Sequence, residues 1–143
     1  MKKLGNQKGI TLVALVVTII VLLILAGVSL SLVAGNNGIL SRATKAVDTN
    51  EVASAGERAE LLIAEAQTAY YEAKYVSSST TTDTMEDYVK SYLASNKTSA
   101  DENVALGSNL ITVSKGGTTI AQVSANIGAE KIQITGKWTK ASV

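Results

Sequence analysis

Asp101, Glu102 and Asn103 are the nearest thing to a ligand set in this chain. Adjacent oxygen donors can hold a hard cation. The ligand series of a calcium loop does not surround them, so a solvated loop is the expected state of this stretch. The other groups that could do chemistry are scattered. Histidine and cysteine are absent, which removes the commonest general base, the thiolate nucleophile and every disulfide. Glu51, Glu57, Arg58, Glu60, Glu65 and Glu72 recur as the polar side of a helical segment and show no metal-ligand spacing. Gly116-Gly117 is a turn signal rather than a phosphate-binding loop. The inventory points away from an enzyme, with no cofactor and no metal expected.

The elements that carry these residues are set first by charge. No charged side chain occurs between Lys8 and Arg42. The apolar run from Ile10 to Leu32 is long enough for a helix crossing a bilayer, which takes about 20 residues. Thr18, Ser29 and Ser31 are its polar exceptions, and their hydroxyls can bond to a carbonyl one turn earlier. Lys2, Lys3 and Lys8 precede the run and favour a cytoplasmic N-terminus, which leaves most of the chain beyond the membrane. Without those three lysines, 10 of the 13 Lys and Arg remain against 12 Asp and Glu, a net charge of −2. A mildly acidic body of this kind offers no footprint for nucleic acid.

Past the apolar run, Gly35-Asn36-Asn37-Gly38 breaks the helix, since both residue types tolerate left-handed backbone. It marks the end of the membrane helix, a hinge, or both. The helical pattern resumes from Ile39 to Tyr75. Leu40, Ala43, Val47, Ala55, Leu62, Ala66, Ala69 and Ala73 form its apolar stripe, mostly of small residues. The Ser/Thr run from Ser77 to Thr82 reads as a linker, open to O-linked sugar. Asp83, with Glu86 three residues on, has the capping-box spacing for a short helix to Ser95 that turns Met85, Val89, Tyr92 and Leu93 inward. Asn96-Lys97-Thr98 fits a glycosylation sequon.

The last third reads as β. Asn109 to Lys115 and Thr118 to Ser124 flank Gly116-Gly117 as a hairpin. Lys131 to Trp138 alternates as one strand, with Ile132, Ile134 and Trp138 on its apolar face. That face needs a cover, and the amphipathic helix is the large apolar surface available. The expected fold is α+β: a long N-terminal, partly transmembrane helix packed on a small C-terminal antiparallel sheet. With no Phe, one Trp and five Tyr, its core must be thin.

The junction Gly9-Ile10-Thr11-Leu12-Val13 resembles the cleavage motif of type IV pilin-like precursors, a family that includes the pseudopilins. The similarity is specific over Lys8 to Ala34, and beyond that it lies in the helix-on-sheet layout. It implies cleavage by a prepilin peptidase between Gly9 and Ile10, and N-methylation of Ile10 where the family usually has phenylalanine. Thr11, Leu12, Val13 and Ala14 would then open the filament-core segment. The resemblance divides the chain into a leader (1–9), a transmembrane and filament-core helix (10–34), its amphipathic continuation (35–76) and a small globular head (77–143). It implies a structural subunit of a pilus-like extracellular filament or secretion pseudopilus. The protein would first be held as a single span in the cytoplasmic membrane. Other pilin-like subunits, an assembly platform protein, an ATPase and membrane lipid are the implied partners. Two positions depart from the family pattern. Its fifth mature residue is normally a glutamate that pairs with a neighbour's N-terminal amine; here it is Ala14, as in some tip-class pseudopilins, which points to a minor subunit. The usual helix-weakening proline is also missing, although Gly27 sits where such helices melt.

Two other readings fit the same residues. A secretory signal peptide could be cut near Ser29-Leu30-Ser31, but the apolar run exceeds the usual core of about 7–15 residues. A single-pass, membrane-anchored extracellular binding domain would keep the helix without assembling. Location separates it from a filament subunit: membrane fraction alone, as against sheared extracellular material.

Overall fold

The computed structural model describes residues 7–77 and 82–141, so most of the leader and the 78–81 stretch of the expected linker lie outside the described residues. The first element, α1, runs from Gln7 to Ala34, starting slightly ahead of Ile10. Its backbone bonds are internal to the helix, as in any α-helix. Thr18 follows suit, its hydroxyl donating to the Leu15 carbonyl at 2.8 Å. The helix ends where expected. The Gly35 amide still donates to Ser31 O at 2.9 Å, that of Gly38 closes a turn on Gly35 O at 2.7 Å, and Arg42 N donates to Gly38 O at 3.1 Å as helix resumes. Gly38 is buried, and a Cβ there would lie 2.5 Å from the Val33 carbonyl oxygen and 2.7 Å from that of Leu32. No side chain fits this turn.

The second helix, α2, spans Ile39–Tyr75. The chain forms two compact units, Met1–Ala46 and Val47–Val143, with their boundary inside α2. The part of α2 from Val47 on falls in the second unit. There Val52, Ala55, Gly56, Ala59, Leu62, Ile63, Ala66 and Tyr70 are buried. The expected stripe was right at Ala55, Leu62 and Ala66 but rotated at its start, since Leu40, Ala43 and Val47 are exposed. The reason is the sheet's close approach. Small residues let two backbones come near, and larger ones on the same face would hold them apart.

A short helix α3, Met85–Ser95, follows, with Met85, Val89 and Leu93 buried as expected and Tyr92 half-buried. Its N-cap is Thr84 rather than Asp83: the Thr84 side chain accepts from Asp87 N at 3.2 Å and donates to the Asp87 carboxylate at 2.8 Å. The box is shifted by one residue, because a β-region Ncap must immediately precede the first helical residue.

Five antiparallel strands complete the head: β1 Glu102–Leu106, β2 Leu110–Lys115, β3 Thr118–Ile127, β4 Ile132–Ile134 and β5 Thr139–Lys140. Their order is β1-β2-β3-β4, with β5 also on β3. The hairpin forms as expected; Gly116 at φ 57° and Gly117 at φ 84° supply the two positive angles its turn needs. The alternating Lys131–Trp138 run is not one strand. It pairs with β3 through Ile132–Ile134, leaves the ladder, and returns as Thr139–Lys140 opposite Gln122 and Ala121. The inner face carries Val104, Leu106, Ile111, Val113, Ala121, Val123, Ala125 and Ile132, in one core with α2 and α3. The α+β fold of a long apolar N-terminal helix followed by an antiparallel sheet is thus observed.

Among the described residues, every buried core hydrophobic lies at or after Val52. A fragment beginning at Ile39 is therefore expected to stay in solution and fold, with circular dichroism showing helix and sheet together. A spectrum of helix alone would mean that the sheet requires α1.

Candidate functional site

Gly9, Ile10, Thr11, Leu12, Val13 and Ala14 all fall within the first turns of α1, and all six are exposed. A Cβ placed on Gly9 would meet nothing within 4 Å. No packing inside this chain calls for glycine there. The same exposure continues along the helix: its large aliphatic residues range from 46% accessible at Val16 to 68% at Ile10. At 28 residues and 1.5 Å per residue the helix is about 42 Å long, against about 30 Å for a bilayer's hydrocarbon core. It is long and apolar enough to span a membrane. A helix apolar on all sides has no water-facing side to show.

The head's polar groups do something different from what their spacing suggested. Asp101-Glu102-Asn103 is not a solvated loop. Glu102 opens β1 and is 2% exposed, with its carboxylate turned to α2. Arg58 grips it with both arms, Nε donating to Oε2 at 2.9 Å and Nη2 donating to Oε1, and the Thr98 hydroxyl donates to Oε2 at 3.0 Å. The Arg58 hydrogen bonds hold the Glu102 carboxyl below the usual carboxylate range, and Glu102 in turn raises Arg58. With both oxygens committed, this carboxylate is not available to a cation. Among the described residues no group of three acidic side chains converges as a metal site would require.

Arg58 is one member of a row that sequence reasoning assigned to solvent. Glu51 meets Lys115 at 3.3 Å and Glu65 accepts from the Tyr92 hydroxyl at 2.9 Å. A second row lies on the other side of the small-residue stripe. Glu60 accepts from the Trp138 indole at 2.7 Å, Gln67 accepts from the Ile132 amide at 3.0 Å, and Lys74 meets Glu130 at 3.4 Å. Both rows repeat every seven residues, which keeps each on one line along a helix; that spacing was the available signal. The rows fasten strands and α3 to the two flanks of α2. The sequon is likewise absorbed into the fold, because Asn96 caps α3 by donating to Tyr92 O at 3.1 Å and Thr98 serves Glu102.

The head is a helix-on-sheet body in which two rows of polar side chains on α2 fasten strands and α3, and α1 exposes an apolar surface. No family model, no curated protein and no solved structure matches the chain. Fold and site together define an α+β protein with one N-terminal helix long and apolar enough to cross a membrane.

Proposed function

We propose that this chain is a pilin-like structural subunit. In this reading it is inserted as a single span, trimmed after Gly9, and carried by α1 into the core of an extracellular filament or pseudopilus. The observation that carries it is the pairing of a helix exposed on all sides and free of charge from Gly9 onward with a glycine near its start that the chain's own packing does not need. A peptidase that requires a minimal side chain before the scissile bond accounts for Gly9. Lipid, and then neighbouring helices, account for the bare surface. Ala14 favours a minor place in a mixed filament, because α1 offers no carboxylate for the amine that cleavage would free at Ile10, and an unpaired ammonium in a desolvated site is costly.

Intact mass of the protein from its native host is the test. The expected mature form begins at Ile10, with or without one added methyl group, and Gly9→Leu leaves the precursor uncut in the membrane fraction. A mature chain starting near Leu32, or one retaining Met1, would falsify the proposal. Recovery in the membrane fraction and never in sheared material would favour the anchored binding domain instead.

A further inference from the structure

The first turns of α2, before the head begins, carry a surface that neither the core nor α1 accounts for. Ile39 is 74% exposed and Leu40 61%, high values for aliphatic residues beside a tight turn. At 100° per residue, Ile39, Leu40, Ala43 and Ala46 share one arc of the helix, and Ser41, Arg42, Thr44 and Lys45 share the opposite one. The segment is amphipathic over its whole length. Arg42 and Lys45, three residues apart, lie on the same side. They are the first charges after the apolar helix, and no acidic residue comes before Asp48.

We infer that Ile39–Ala46 is an interfacial anchor that docks on an anionic lipid surface where α1 leaves the bilayer. This rests on α1 spanning the membrane, as proposed above. The occupant follows from charge and continuity. α1 is longer than the hydrocarbon core is thick, so the Gly35–Gly38 turn falls among the headgroups, and the next residues begin in that layer. There the apolar arc reaches the upper acyl chains, and the two cations meet lipid phosphates, the arrangement that interfacial helices use. The turn serves this purpose because it is built rather than frayed: Gly38 is closed in by the carbonyls of Leu32, Val33 and Gly35.

The natural lack of cysteine allows a direct test on the full chain. Leu40→Cys, labelled with an environment-sensitive dye, is reconstituted into vesicles of phosphatidylcholine alone, or with about one third phosphatidylglycerol to supply the anionic charge. Leu22→Cys in mid-helix is labelled in parallel. Protection of the Leu22 label from acrylamide establishes the span. The Leu40 label is then expected to be shielded and blue-shifted with phosphatidylglycerol, surface partitioning rising about fivefold per cation engaged. Arg42→Gln with Lys45→Gln, or added salt, should erase the lipid dependence. A Leu40 label open to acrylamide in both vesicles, with Leu22 protected, overturns the anchor while leaving the span intact. Shielding that tracks protein density instead of lipid charge also overturns it, in favour of a second copy on this face. An unprotected Leu22 label refutes the span itself, and the anchor with it.

Discussion

Replacing Gly56 with leucine is expected to destabilise the head by about 2 kcal/mol, within the range of overpacked cores, and to shift the emission of Trp138 to longer wavelength. Trp138 is half-buried and lies flat against α2 at Gly56. A Cβ built there would sit 2.5 Å from the indole Cγ and Cδ1. Any side chain must therefore push the ring outward, breaking its 2.7 Å hydrogen bond to Glu60. Lys140, two residues on, holds Asp48 at 2.6 Å, so displacement would loosen the whole C-terminal strap. Against this stands the better helix propensity of leucine, about 1 kcal/mol over glycine, which the clash must exceed. Denaturation followed by circular dichroism measures the stability in both backgrounds, and Trp138 emission reports the shift where the indole is present. In a Trp138→Ala background the same substitution should cost little or become favourable, because the obstacle is gone. An equal cost in both backgrounds would show that the indole does not lie over Gly56 in solution.

Arg58→Ala is expected to cost about 1–3 kcal/mol. Removing one partner of a fully buried pair leaves an uncompensated charge worth roughly 3–5 kcal/mol. Here the Arg58 side chain is 42% exposed, so water admitted after truncation and solvent screening reduce the figure. Glu102→Gln should be milder, since the amide oxygen can still accept from Thr98 and the charge left unpaired, Arg58, reaches solvent. The pair also predicts a pH dependence with a definite sign. The Glu102 carboxyl is held below its ordinary value in the folded head. Its contribution is therefore complete above the ordinary carboxylate range and is lost as pH falls through the depressed value. Thermal melts over a falling pH series should show the wild-type head losing stability in that acid window, and Glu102→Gln starting lower but falling less. Parallel curves for the two proteins would mean that other carboxylates control the acid limb.

The features legible in the residues are those settled locally. That α1 is long and apolar enough to cross a membrane follows from a run without charge, because apolarity is a sum over consecutive side chains and a helix satisfies its own backbone. The break at Gly35–Gly38 and the Gly116-Gly117 turn follow from backbone angles that few residue types adopt. The hairpin that the second of these joins followed with it. Glu102 was not legible: an acidic residue beside Asp101 reads as solvent-facing until Arg58, 44 positions away, is brought against it. Nor was the break in the Lys131–Trp138 run, where alternation continued but the partner β3 was engaged at two separate stretches.

The inward side of α2 shows most plainly what only the tertiary structure decided. Alanine occurs on several of its faces, so apolar periodicity alone could not choose among them. Hydrophobicity pointed toward Leu40 and Val47, both exposed, while Gly56 and Ala59, outside the expected stripe, are buried. The sequence by itself determined that a membrane-length helix precedes an α+β head. Which face of α2 the head is built on was decided by the sheet, which can approach closely only where side chains are small and polar residues on both flanks can reach its strands.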